Sequence, residues 1–256
     1  NAPILVISTP LFMSGEFYNL YSSADGKMVS AFDWSKYDTS KYLSVEKLEY
    51  YRKTISPLKF QSEYLGQFIS EGSYIFGVFI KCVKDNSSFI PRYGGIDWAS
   101  GNGGDYTVLT LMDMFGKVVK VHSFKNMDPV AQVQKLADII NRYDLICLQV
   151  EMNSIGRIYY DQLKRKVKCY ISQFTTTNDS KRRIIEQLVT AFQKEEIEIP
   201  NDSELIKELQ HYAMEKTSKG YTYNGADGVN DDYVISLALC WDAYNKKKGN
   251  FTLSLV

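Results

Sequence analysis

The chain of 256 residues is 45% apolar and 14% aromatic, with a formal net charge of zero. That is apolar enough to exclude wholesale disorder, and too evenly charged for a protein that coats nucleic acid by bulk attraction, though a local basic face remains open. Two histidines exclude a His-rich zinc site. The four cysteines carry neither a CxxC pair nor metal-ligand spacing and read as reduced packing residues of a cytosolic protein.

Residues 1–72 form one block. Residues 4–7 read as a short strand stopped by Pro10, residues 15–20 as a short helix, and residues 29–34 as strand-like. Between Ser44 and Phe68 a helical pattern runs through Val45, Leu48, Tyr51 and Ile55 until Pro57 interrupts it. Ser44 followed by Lys47 makes a plain N-cap rather than a capping box. The opening run reads as a strand already under way, so a longer parent chain is expected. Polar stretches at 70–73 and 84–88, followed by Pro91, put the boundary between residues 1–72 and 73–256.

From residue 93 onward strands and helices alternate. Residues 94–99, 106–112 and 118–124 read as three strands. They are joined by a glycine-rich turn at 101–104 and by Phe115-Gly116-Lys117, short links that make an antiparallel meander. Asp128-Pro129 starts a helix with Val130, Val133, Leu136, Ile139 and Ile140 on one face. Residues 145–150 are nearly all apolar, as expected of a buried central strand. A helix at 154–164, a strand at 169–172, and helices near 180–195, 202–216 and 231–246 follow. A meander followed by βαβ units and a closing helix is the order of the ribonuclease H-like fold. The fold class predicted is therefore α/β, a mixed sheet of three antiparallel and further parallel strands flanked by helices.

Three acidic patches fall at special points of that order. Asp97 ends the first strand, Glu151 ends the apolar fourth strand, and Asp231 and Asp232 open the last helix. Each alone has an ordinary explanation: a turn-capping Asp, a solvated strand end, a helix N-cap favoured by the dipole. A cap needs one carboxylate, however, and two adjacent ones repel unless a cation is shared. Asp105 is a second acidic residue near Asp97 and reads as a hairpin turn residue. Brought together by the fold, the patches would form an oxygen-rich pocket suited to Mg²⁺ or Mn²⁺ and to two-metal hydrolysis of a phosphodiester.

The stretch from Arg157 to Arg183 carries eight basic residues against two acidic ones, which suits either a phosphate-rich substrate or ordinary solvated helix faces. No GxxxxGK[ST] motif occurs anywhere in the chain, so no phosphate-cradling ATPase loop is encoded.

With these residues in view, the chain resembles the large terminase subunit of tailed phages and prophages. The resemblance rests on Ile96-Asp97 with Asp105-Tyr106-Thr107, on Val150-Glu151-Met152-Asn153, and on the run from Asn230-Asp231-Asp232-Tyr233 to Ala238. The segment from Thr176 to Arg183, Ile197-Glu198-Ile199-Pro200 and Glu208-Leu209 also follow the family pattern, while Asn230 stands where the family often has His. In the first block, Ser8-Thr9-Pro10 resembles the family's ATP-coupling motif, and Glu63-Tyr64-Leu65 with Phe68-Ile69-Ser70-Glu71 resembles the lead into its nuclease.

The resemblance implies the tail of a P-loop ATPase domain at 1–72 and a ribonuclease H-like nuclease domain at 73–256, without ATPase activity. It implies an endonuclease that cuts concatemeric double-stranded DNA using Mg²⁺ or Mn²⁺, two ions expected. The implied ligands and catalytic residues are Asp97, Glu151, Asp232 and Asp231, with DNA contacts from Lys181, Arg182 and Arg157. In the full-length parent the portal protein and the small terminase subunit are the expected partners. The fragment itself is expected to be monomeric, free of membrane, and in the cytoplasm of a bacterial host. Two other readings share the sequence features: a Holliday-junction resolvase or transposase-type nuclease of the same fold, and a non-catalytic docking domain with a vestigial pocket.

Overall fold

The computed structural model describes residues 4–32, 42–70, 73–84, 89–99, 106–152, 154–218, 220–226 and 228–252. The chain divides into two compact units, one of residues 1–75 with 213–222 and one of residues 76–212 with 223–256.

Among the described residues of the first unit, the helices are α1 (Glu16–Ser22), α2 (Val45–Thr54) and α3 (Pro57–Glu63). Ser44 caps α2 by accepting from the Lys47 amide, and Pro57 sits in the first turn of α3, where its missing N–H costs nothing. Phe68 packs its ring among Phe17, Tyr18 and Tyr21. The strand expected at residues 4–7 is not formed. The segment is irregular, with Ile4 and Ile7 exposed, because among the described residues no strand pairs with it to take up its backbone groups. Residues 29–32 are also irregular rather than strand, and the rest of that expected strand, Asp33 and Trp34, lies outside the described residues.

In the second unit a 3₁₀ turn at Phe79–Cys82 precedes β1 (Tyr93–Asp97), β2 (Thr107–Met112) and β3 (Val118–Phe124). Then come α4 (Pro129–Ile140), β4 (Cys147–Glu151), α5 (Ser154–Lys164), β5 (Ile171–Phe174), α6 (Asn178–Gln193) and α7 (Ser203–His211). The strands β6 (Tyr212–Thr217) and β7 (Gly220–Gly225), whose residues 213–222 count with the first unit, pair with each other. Helix α8 (Asp232–Thr252) closes the order. The main sheet runs β3-β2-β1-β4-β5. Its β1–β2 and β2–β3 pairs are antiparallel, and its β1–β4 and β4–β5 pairs are parallel. This is the mixed α/β sheet predicted, with strand boundaries shifted by up to two residues.

One expected element is corrected. The helix predicted over 202–216 ends at His211, and residues 212–217 are strand. Apolar Tyr212, Ala213 and Met214 prolong the helical pattern in the sequence. The partner that decides their state is the Tyr-rich segment 220–225, which pairs with them as β7.

The two faces of the sheet have different cores. Ile96, Leu109, Leu111, Leu148 and Val150 pack against Val133, Leu136, Ala137 and Ile140 of α4 and Leu163 of α5. Strand side chains alternate, so Gly95, Asp97, Gln149 and Glu151 lie on the opposite face, the one α8 crosses. The crossing is close. The Ser236 hydroxyl donates to the Gly95 carbonyl at 3.0 Å and accepts from the Thr110 amide at 3.0 Å.

Farther along α8, buried Asp242 accepts from Gln149 Nε2 at 2.6 Å, from Arg183 at 2.6 Å and from Lys246 at 2.7 Å. Burial works against ionisation of Asp242, but the hydrogen bonds from Arg183, Lys246 and Gln149 outweigh it and hold the carboxyl below its ordinary value. A depressed folded value means a contribution to stability that is complete above about pH 4 and is lost as pH falls through the lowered value. Asp242→Asn should therefore shrink the loss of stability between about pH 4 and pH 2 in urea titrations. At pH 7, Asp242→Ala should cost about 2 kcal/mol. That is less than for a fully buried pair, because the Arg183 and Lys246 side chains, 44% and 45% exposed, can turn to water.

Candidate active site

Parallel pairing of β1 and β4 aligns Ile96 with Val150, which sets Asp97 beside Glu151 at the carboxyl edge of the sheet. Both side chains lie on the α8 face, and α8 begins with Asp232 at that same edge. The three carboxylate residues are 6%, 8% and 8% exposed. Asp97 shares a hydrogen bond with Glu151. Its carboxyl is pushed well above the usual range by burial first, then by the charge of Glu151, their shared hydrogen bond, and the charges of Asp232 and Asp231.

Each carboxylate is held by neighbours. Thr176, between β5 and α6, donates its hydroxyl to Glu151 Oε1. The Tyr106 amide donates to Asp232 Oδ2 at 2.7 Å, and Asn230 donates to the same oxygen at 3.3 Å. Asp231 has different partners: Lys181 Nζ at 2.8 Å and the Tyr212 hydroxyl at 3.4 Å. Lys181 also donates to Asn224 at 2.7 Å. Burial, and then the charge of Asp231, push the Tyr212 phenol well up, so it serves as a neutral donor.

The start of α8 is capped from outside. Ile235 donates to the Asp231 carbonyl, which makes Asp231 the N-cap residue by backbone. The amides of Tyr233 and Val234, which an N-cap carboxylate ordinarily serves, donate instead to Glu208 Oε2 on α7, at 2.8 and 3.0 Å. Burial raises the Glu208 carboxyl to about 9, with the two amide bonds opposing the rise and the Asp232 and Asp231 charges adding to it.

The donor set is all oxygen, buried and mutually repelling, as a hard divalent cation requires. Among the described residues no three acidic, histidine or cysteine side chains stand as a finished cation cage. The donors are gathered, with Asp97 and Glu151 hydrogen-bonded to each other. The fit to a divalent ion rests on this chemistry.

The predicted basic residues separate. Lys181 is paired with Asp231 and lies beside the carboxylates, whereas Arg182 pairs with Asp179 in its own helix turn. Arg183 is taken up by Asp242, and Arg157 is exposed on α5. Asp105, Asn153 and the glycine turn at 101–104 lie outside the described residues. Sequence reasoning assigned no role to Thr176, Tyr106, Lys125, Gln149 or Glu208. Lys125 stands with its ammonium 4.6 Å from the ring centre of Tyr106, the residue whose amide holds Asp232. Glu208 did leave a signal: it shares a helix face with Leu205 and Leu209, and an acidic residue on an apolar face asks for buried donors.

A β3-β2-β1-β4-β5 sheet with acidic residues ending β1 and β4, and a third acidic group opening the helix laid across them, defines a ribonuclease H-like domain. A family model described as the Terminase RNaseH-like domain matches residues 94–241, more than half of the sequence. The chain belongs to this family.

Two curated terminase large subunits, from Thermus virus P23-45 and Thermus phage G20c, are each 23% identical over 222 residues. The alignments cover 80% of this chain and 45% of those proteins, so the chain spans just under half the length of the curated relatives it matches. Among solved structures, the large terminase nuclease of thermophilic phage G20c aligns with a TM-score of 0.58 at 19% identity, covering 66% of this chain and 97% of that one. The large terminase of a second thermophilic bacteriophage aligns with a TM-score of 0.64 at 15% identity, covering 90% of this chain and 60% of that one. Likeness at these identities is one of fold.

Among the described residues no helix is long and apolar enough to cross a membrane.

Proposed function

We propose that this chain is the DNA-cutting part of a viral genome-packaging terminase. It would be a metal-dependent endonuclease that hydrolyses phosphodiester bonds of concatemeric double-stranded DNA at Asp97, Glu151 and Asp232, with Mg²⁺ or Mn²⁺ and two ions. One observation carries the reading. Two buried carboxyl groups from adjacent strands share a hydrogen bond with a third beside them, an arrangement that is costly without a shared positive charge. The G20c nuclease, similar in fold, has been solved with bound magnesium, cobalt and zinc, which supports a divalent ion here.

A bound divalent cation supplies charge stabilisation at the phosphate and lowers the pKa of water at neutral pH. Asp97, Glu151 and Asp232 would hold it. Thr176 fixes the orientation of Glu151, and the Tyr106 amide that of Asp232. Asp231, engaged by Lys181 and Tyr212, serves as the anchor that aims the Lys181 ammonium at the scissile phosphate, which leaves Asp232 as the ligand of the pair. An ion held there would take the place of the hydrogen bond that Asp97 and Glu151 share.

Residues 1–72 are proposed as the tail of the ATPase domain and 73–256 as the nuclease domain. Portal protein and small subunit are proposed partners of the full-length parent, in the cytoplasm of a bacterial host. The test is direct: the purified chain should convert supercoiled plasmid to nicked and linear forms with Mn²⁺ and leave it intact in EDTA. Intact plasmid at millimolar Mn²⁺ would defeat the proposal.

A further inference from the structure

We infer that Glu208 is the positioning residue of this centre: by capping α8 from the neighbouring helix, it releases the Asp231-Asp232 pair to serve the pocket. The inference rests on the nuclease reading above and adds to it a residue with a defined task.

The first amides of any helix need acceptors, and an Asp at the N-cap is the usual one. Asp231 holds that backbone position here, since its carbonyl accepts from Ile235 at 2.9 Å. Left to itself its carboxylate would fold back onto the amides of Tyr233 and Val234. Glu208, only 4% exposed, already occupies both amides through one oxygen, at 2.8 and 3.0 Å. The Asp231 carboxylate instead meets Lys181 at 2.8 Å and Tyr212 at 3.4 Å, and that of Asp232 meets the Tyr106 amide at 2.7 Å. Without Glu208, the buried amides of Tyr233 and Val234 would draw Asp231 back into its own helix. Lys181 would lose its anchor, and the first turn of α8 that carries Asp232 would shift.

The feature that matters is therefore an oxygen at the right reach, and its charge is secondary. Gln presents such an oxygen at the same distance, whereas Asp keeps the charge but falls one methylene short.

Isothermal titration of the chain with Mn²⁺, on variants shown by circular dichroism to be folded at the assay temperature, separates the possibilities. Glu208→Gln should keep Mn²⁺ affinity within about threefold of the unmodified chain, while Glu208→Asp and Glu208→Ala should lose about 10- to 100-fold, the usual effect of removing a group that orients a ligand. Should Glu208→Ala fail to fold, the Gln and Asp variants decide between them. Wild-type affinity in Glu208→Asp, or a loss in Glu208→Gln as large as in Glu208→Asp, overturns the inference while the nuclease reading stands. An unmodified chain that takes up no Mn²⁺ overturns both.

Discussion

Asp97→Asn is expected to reduce Mn²⁺-dependent plasmid cleavage at least about 10²- to 10³-fold while leaving the fold intact. The two halves of that expectation have one cause. In the metal-free chain Asp97 shares a hydrogen bond with Glu151 and its carboxyl is held well above the usual range, so an amide in its place keeps nearly the same shape and partner. The Asn side-chain NH₂ can make the same bond to Glu151. The melting temperature in EDTA should be equal to or above that of the unmodified chain. With Mn²⁺ the order should reverse, because the unmodified chain gains stability by binding the ion and Asp97→Asn does not. Thermal melts in EDTA and in Mn²⁺, run beside the cleavage assay, check both halves. Cleavage within about tenfold of the unmodified chain would remove Asp97 from the catalytic set.

Gly95→Ala is expected to disrupt the packing of α8 on the sheet. A Cβ at Gly95 would lie 2.3 Å from the Ser236 carbonyl oxygen and 2.4 Å from the Cys240 amide nitrogen, both backbone atoms of α8. No rotamer change relieves such a clash. The helix has to lift from the sheet, which breaks the Ser236 bonds to Gly95 and Thr110 and shifts the first turn that carries Asp232. A loss of at least about 3 kcal/mol in urea unfolding is expected, at the upper end of overpacking effects. Gly94→Ala provides the control. Its Cβ would meet the Leu148 Cδ1 atom at 2.8 Å, the end of a flexible side chain, so a loss below about 1.5 kcal/mol is expected there. Equal effects at the two positions would contradict the close crossing of α8 over β1.

What the sequence reveals of this molecule follows how local each feature is. Asp97 and Glu151 stand out because each closes an apolar run, and the strand order then follows from link lengths: short turns make the meander, and helical crossovers make the parallel pairs. The separate tasks of Asp231 and Asp232 are hidden, because they depend on Glu208, 23 residues before Asp231, taking over the cap. The same limit applies to the basic stretch. Lys181 and Arg183 read alike in sequence, yet one meets Asp231 beside the carboxylates and the other meets Asp242 far along α8. The β6–β7 pairing was missed because Tyr212, Ala213 and Met214 extend the helical apolar pattern, and only the segment across the turn tells strand from helix.

The central claim is that Asp97, Glu151 and Asp232 together bind the divalent ions that cut DNA. Anomalous diffraction from crystals of this chain soaked in Mn²⁺ tests it most directly. The account predicts two Mn²⁺ peaks about 4 Å apart, with oxygens of Asp97, Glu151 and Asp232 about 2.2 Å from them and the Asp97–Glu151 hydrogen bond broken. Manganese bound elsewhere on the chain, with the Asp97–Glu151 hydrogen bond still in place, would contradict it.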